Sequence, residues 1–369
     1  MRIDQIELRR LRLPLVHFFE TSFGRTHHKT FLLVRLWSGG VEAWGECATE
    51  DAPYYGAETN DTVWHIATRF LAPTLLSTTY EHPREVFDSF HRVRGNNMAK
   101  AALEMAAWGL YARQLGVPLC QVLGGVRDHI ASGVSIGIQD TLDQLADKIR
   151  TERDAGYRRI KIKVKPGWDI EAVRVVRDRF GSIPLMVDAN AAYTIADADH
   201  LAALDAFGLM MIEQPLDYED LSDHARLQRR LSTPICLDES IHSPRLAADA
   251  LDTDACRVIN IKPGRLGGFA ESIKVHDLCA SRRVPVWHGG MLESGIGRVY
   301  NIHLSTLPNF TLPGDIAASK RYFVPDLIDP PVEVDSNGMI AVPTGPGIGV
   351  AVDAERVASA TLQSIILKP

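Results

Sequence analysis

Five short apolar runs, each closed by a charged residue, constrain this chain more than any other feature. They are Ile160-Lys161-Ile162-Lys163, Pro184-Leu185-Met186-Val187-Asp188, Leu209-Met210-Met211-Ile212-Glu213, Pro234-Ile235-Cys236-Leu237-Asp238 and Val258-Ile259-Asn260-Ile261-Lys262. Lys163, Asp188, Glu213 and Asp238 follow one another at intervals of 25 residues, and Lys262 comes 24 after Asp238. A strand of about five residues, a helix of about ten to twelve and two short loops fill such an interval. Runs without polar alternation predict strands buried on both faces, as parallel sheets require. A βα unit repeated at a fixed period predicts a (β/α) barrel with its functional side chains at the C-terminal strand ends.

In that arrangement Asp188, Glu213 and Asp238 converge. Three anions at one point repel one another, and a hard divalent cation bound through oxygen is the natural neutraliser, Mg2+ first among candidates. The competing reading makes each acid an N-cap for the helix that follows. Three acids in register with flanking lysines favour the metal. Lys161 and Lys163, two apart on a strand, point to the same side. A lysine becomes a usable base when its pKa falls well below about 10.4, and a neighbouring ammonium and a nearby cation both push that way. Lys262 approaches from the far side of the carboxylates. Two lysines facing each other across a metal suggest proton chemistry on two faces of one carbon.

Net charge −6 and pI near 6.1 give no electrostatic case for nucleic acid. No apolar run reads as a signal peptide or a membrane span. Five cysteines, Cys47, Cys120, Cys236, Cys256 and Cys279, are scattered without CxxC spacing. That fits a reducing cytoplasm and carries no zinc signature.

The reading divides the chain into an α+β capping domain (1–125), a barrel (126–315) and a tail (316–369) that folds back on the cap. Strands at residues 2–16, Phe31–Trp37 and Val41–Ala48 make an antiparallel meander, the last two joined by Ser38-Gly39-Gly40. Between the first two strands lies a loop, 18–25, containing Phe18, Phe19, Phe23 and Gly24. It is either a mobile flap over an apolar ligand or a set of aromatics packed beneath the meander. Helices are expected over 59–71, 83–92 and 99–115. Val134-Ser135-Ile136-Gly137 starts the barrel, Val284–Trp287 is its seventh strand, and Phe310-Thr311-Leu312 offers an eighth.

The motifs Lys161-Ile162-Lys163, Val187-Asp188-Ala189-Asn190, Ile212-Glu213-Gln214-Pro215, Leu237-Asp238-Glu239-Ser240 and Asn260-Ile261-Lys262-Pro263 together resemble the enolase superfamily in its muconate-lactonizing-like subgroup. The resemblance covers essentially the whole chain. It implies a modified TIM barrel, (β/α)7β, with an α+β cap, and Mg2+ held by Asp188, Glu213 and Asp238, with Mn2+ expected to substitute. It also implies an acid/base pair in Lys163 and Lys262, with Lys161 stabilising an enolate. The subgroup with a His on the seventh strand pairs it with an Asp on the sixth. Here the sixth carries Lys262, so His288 is read as structural or supporting.

Ser135, Lys262-Pro263-Gly264-Arg265, the long stretch Gly289–Arg298 and Leu312-Pro313-Gly314-Asp315 are similar to the o-succinylbenzoate synthase / N-succinylamino acid (N-acylamino acid) racemase group. That likeness implies a small carboxylate substrate, a cytoplasmic homo-oligomer, and dehydration, racemization or both. Dipeptide epimerase and muconate cycloisomerase share the lysine pattern, and a non-catalytic barrel is the reading outside enzymes. Expected substrate contacts are Phe19, Phe23, Ser135, Asn190, Gly290, Met291, Leu292 and Ile296, supported by Glu239 and Arg265. For Asn190, capping the next helix has equal weight. Glu50 stands where related amino-acid racemases carry an apolar side chain, which bears on side-chain preference.

Overall fold

The computed structural model describes residues 1–369. Its two main sheets obey different rules. The cap sheet is antiparallel, with strands in the order Thr361–Leu367, Gln5–Thr21, Gly24–Ser38 and Val41–Cys47. One face packs on the helix Asn97–Leu115. Ile6, Leu8, Leu32, Val34 and Leu36 meet Leu103, Ala106 and Leu110 in the cap core. Gly45 lets that helix approach, because a Cβ there would stand 2.5 Å from the Ala102 carbonyl.

The barrel sheet has seven parallel strands in simple sequential order: Val134–Ile136, Ile160–Lys163, Leu185–Asp188, Ile212–Glu213, Ile235–Leu237, Val258–Ile261 and Val286–His288. All of these strand residues are buried, as the unalternating apolar runs require. Phe310-Thr311-Leu312 does not form an eighth strand. Phe310 touches the seventh strand through a single bridge to Val286, and Gly314, past the segment, bridges Ser132 just before the first barrel strand. Its own N–H groups are spent on the turn before it, Phe310 on the Leu307 carbonyl and Thr311 on the Asn309 carbonyl, and Pro313 just beyond has no N–H to donate.

The 18–25 segment is not a loop. The first two strands continue to Thr21 and from Gly24, pairing Phe19 with Thr26 and Glu20 with Arg25 around a two-residue tip, after a register shift between Pro14 and Phe19. The tail also divides. Ile316, Leu327, Ile328, Ile340 and Val342 pack in the large core shared with the barrel, and Thr361–Leu367 joins the cap sheet. No helix is long and apolar enough to cross a membrane.

Candidate active site

The barrel register sets the charges side by side. Lys163 is opposite Asp188, Asp188 opposite Glu213, and Glu213 opposite Cys236, with Asp238 two residues further on. Lys161, Lys163, Asp188, Glu213, Asp238 and Lys262 are all buried. Lys163 Nζ donates to Asp188 Oδ2 at 2.5 Å and to Asn190 Oδ1 at 2.7 Å. Lys161 Nζ lies 2.9 Å from Glu213 Oε2, 3.1 Å from Asp188 Oδ2 and 2.5 Å from Asp315 Oδ2. Lys262 Nζ is 2.6 Å from Asp238 Oδ2. Gly289 makes room for Lys262, since a Cβ would meet its Cε at 2.5 Å.

Burial opposes charge on Lys161, Asp188, Glu213, Asp238 and Lys262, and the outcome depends on partners. For Lys161, Asp315, Glu213 and Asp188 outweigh burial and hold the ammonium well above its ordinary value. For Lys262, Asp238 and Tyr55 do the same. Asp188 overcomes its burial through Lys163 and Lys161 and sits far below the usual carboxylate range. Glu213 fares the other way: burial and then the Asp188 charge push its carboxyl well up. Sequence reasoning expected lysines biased toward neutrality. Paired with these carboxylates, Lys161 and Lys262 are instead biased toward charge.

The donor set suits a hard divalent cation. It is oxygen only, rigidly mounted on adjacent strands, and Glu213 is raised by the very acids it would share the ion with. The side chains do not form a closed coordination cage of three or more acids. Lysine ammoniums occupy the hydrogen-bonding positions on Asp188, Glu213 and Asp238 instead.

A second ring holds the first. Asn190, with φ +43°, caps no helix through its side chain; it accepts from Lys163 and donates to Glu239 Oε1 at 2.8 Å. Burial and the Asp238 charge push Glu239 up to about 7. Arg265 is 3.1 Å from Asp238 Oδ1 and donates to the Asn260 carbonyl. Several members escaped sequence reasoning. Asn260 donates to Glu213 Oε1 at 2.7 Å, and Gln214 Oε1 receives the backbone N–H of Asp238 and Ser240. Trp287 lies 4.9 Å from Lys161 Nζ across its ring face. Asn260 had a readable signal, since it sits two residues before Lys262 on an inward-facing strand. His288 is buried, stacks on Phe310, and is driven down to about 3 by burial, so it is a neutral structural ring.

Above the charges lies a cavity of about 260 Å3. Phe19, Phe23, Asn190, Gly290, Met291 and Leu292 line it together with Lys163 and Lys262. Ser135 lines a smaller recess beneath, beside Lys161 and Lys163. Ile296 is the exception among the expected contacts. Ser294 caps the helix Gly295–Leu304 and turns Ile296 into the core, where it is fully buried and lines neither space. Glu50 also faces the cavity, with Lys29 Nζ 3.8 Å away. The hairpin tip is fastened to the barrel. Glu20 accepts from the Ile138 N–H at 3.0 Å, and Arg25 bridges Glu20 and Asp140. Gly137 permits this, since a Cβ there would stand 2.8 Å from the Glu20 backbone.

Fold and site together describe a cap-and-barrel protein arranged for acid–base chemistry beside a carboxylate cluster. Residues 5–124 match the mandelate racemase / muconate lactonizing enzyme N-terminal domain, and residues 144–357 match the enolase C-terminal domain-like family. The chain belongs to the enolase superfamily, in its mandelate racemase / muconate lactonizing enzyme family. It is 55% identical over 358 residues to an o-succinylbenzoate synthase of Geobacillus kaustophilus, covering 97% of this chain and 95% of the relative. It is 49% identical over 352 residues to an N-succinylamino acid racemase of Amycolatopsis sp, covering 95% of each. A solved enolase-superfamily structure from Listeria innocua superposes with TM-score 0.96 at 38% identity, over 100% of this chain and 99% of that one.

Proposed function

We propose that this chain removes a proton next to a substrate carboxylate, as an o-succinylbenzoate synthase, an N-succinylamino acid racemase, or both. The observation that carries the reading is the pair of buried lysines on two different carboxylates of one cluster, Lys163 on Asp188 and Lys262 on Asp238. Asp188, Glu213 and Asp238 would hold Mg2+. The ion would stabilise charge developing on the substrate carboxyl and neutralise the anions that keep Lys161 and Lys262 protonated.

The lysines then divide the work. In dehydration Lys163 takes the α-proton and returns it to the departing hydroxide on the same face, while Lys262 stays cationic. In racemization one lysine removes the proton and the other supplies one from the opposite face. Lys161, fixed by Asp315, places positive charge at the carboxyl end. Phe19 and Phe23 exclude water from the reacting carbon.

The dipeptide epimerase alternative needs a free acid on the eighth segment for a substrate amine. Asp315 is the candidate, and it is committed: it accepts from Arg159 at 2.6 Å and pairs with Lys161, and it is held down to about 2. This supports the succinyl substrates. The test is a parallel assay of the Mg2+-loaded protein for dehydration and for α-proton exchange on N-succinylamino acids. Turnover in either supports the proposal, and activity in neither overturns it.

A further inference from the structure

The two lysines are not held alike. Lys163 finds both its partners, Asp188 and Asn190, on the barrel. Lys262 has one barrel partner and one from the cap. Its Nζ donates to the Tyr55 hydroxyl at 3.1 Å, and that hydroxyl donates to Asp238 Oδ1 at 3.0 Å. The Nζ also lies 4.5 Å from the centre of the Tyr55 ring. Tyr55 thus spans the same carboxylate that Lys262 uses, with Lys262 on Oδ2 and the phenol on Oδ1.

Tyr55 stands on the irregular stretch 48–58, between the last cap strand and the helix starting at Asn60. The stretch is pinned at its ends. Asn60 bonds Thr49 and Asp51, and Glu58 receives the N–H groups of Met98 and Ala99. Between those pins the half-buried Tyr55 ring separates the cavity over Lys163 and Lys262 from a neighbouring space lined by Glu239, His242 and Arg265. An ammonium on a four-carbon stem has many rotamers, and a base must stay within hydrogen-bond reach of the proton it takes. A phenol that both accepts from Nζ and offers it a ring face removes most of that freedom.

We infer that Tyr55 is a positioning residue for Lys262, so that the cap governs one face of the α-carbon and leaves the other to the barrel alone. The inference rests on the two-base reading above, and a control separates the two. The experiment follows α-proton exchange by NMR in D2O, using N-succinyl-L-phenylalanine and N-succinyl-D-phenylalanine separately. The proteins are Mg2+-loaded wild type, Tyr55→Phe, Tyr55→Leu and Lys262→Ala, each with its thermal melting curve and Mg2+ affinity. Lys262→Ala identifies the enantiomer that Lys262 serves. Tyr55→Phe should slow exchange of that enantiomer by about tenfold or more and the other by less than about twofold, the scale of a displaced supporting group. Tyr55→Leu, which also loses the ring, should slow the same enantiomer further. Melting temperature should stay near wild type in Tyr55→Phe, and exchange is compared at saturating Mg2+, because losing the hydrogen bond to Asp238 weakens the metal's hold for both enantiomers alike. Equal loss for both enantiomers, or no loss in Tyr55→Phe, overturns the role of Tyr55 while the two-base reading stands. If Lys262→Ala itself slows both enantiomers alike, the two-base reading falls and takes this inference with it.

Discussion

The barrel mouth and the cap edge line the same cavity by opposite means. At the barrel mouth, position follows from register: each charge ends a strand, and neighbouring strands place Lys163, Asp188 and Glu213 opposite one another. At the cap edge, Phe19, Glu50 and Tyr55 arrive on a hairpin tip and an irregular stretch, held by individual ties such as Gly137 against Glu20. The contrast separates a rigid source of chemistry from an adjustable source of selectivity, as barrel scaffolds with variable covers allow.

The largest expected effects lie on the barrel side. Chelation with EDTA should abolish turnover, and Mg2+ or Mn2+ should restore it; full activity after exhaustive chelation would remove the metal site. Asp238→Asn should lower activity by at least about 10²-fold, more than an outer partner costs, and should lower the melting temperature as well, since Lys262 and Arg265 lose their buried counter-charge. Lys163→Ala should stop dehydration, a loss of about 10²–10⁴-fold for a missing acid–base group. Exchange from the Lys262 face should persist, and its disappearance would mean that the two faces are not independently served.

Substitutions in the cap's pocket lining, Tyr55 apart, should give smaller effects and change preference rather than chemistry. Phe19→Ala should reduce kcat/KM by about tenfold, the worth of a few apolar contacts in a pocket. Steady-state kinetics on paired apolar and polar N-succinylamino acids would show whether Glu50→Met shifts preference toward apolar side chains. An unchanged ratio would mean that Glu50 is spent on Lys29, 3.8 Å away.

The last effect falls outside both regions and bears on stability rather than turnover. His303 is buried, accepts from the Cys120 N–H at 3.2 Å and donates to the Ile348 carbonyl at 3.1 Å. Burial drives it from 6.5 down to about 4. Between those values the unfolded chain binds a proton that the folded one refuses. Stability is therefore intact above pH 6.5 and lost as the pH falls through 4, by about 3 kcal/mol in all. Denaturant melts from pH 4 to 7 should show that slope in wild type and a flatter one in His303→Asn.

What could be read from sequence follows the same contrast. Strands buried on both faces and ending in charge announce themselves, so the barrel, its three acids and its lysines were legible. Asp315 was not, because its role depends on Arg159 and Lys161 reaching it from another strand. Tyr55 was not, because no periodicity governs an irregular stretch. The hairpin was mistaken for a loop because its register shift breaks the alternation after Pro14. Ile296, expected as a substrate contact, instead faces the core because a helix begins at Gly295.

The cap sheet pairs Ile6 with Leu367. The strand Gln5–Thr21 thus takes its edge partner from beyond the barrel in sequence, and that edge is open until Thr361–Leu367 docks. Its charged residues Glu7, Arg9 and Arg10 are suited to keep that edge from premature pairing with other chains. Because the early hairpin carries Phe19 and Phe23, the pocket cover gains its last strand only after the barrel is made. The barrel's reactive charges all precede in sequence the strand that completes their cover, so the enclosure draws on residues from both sides of the barrel.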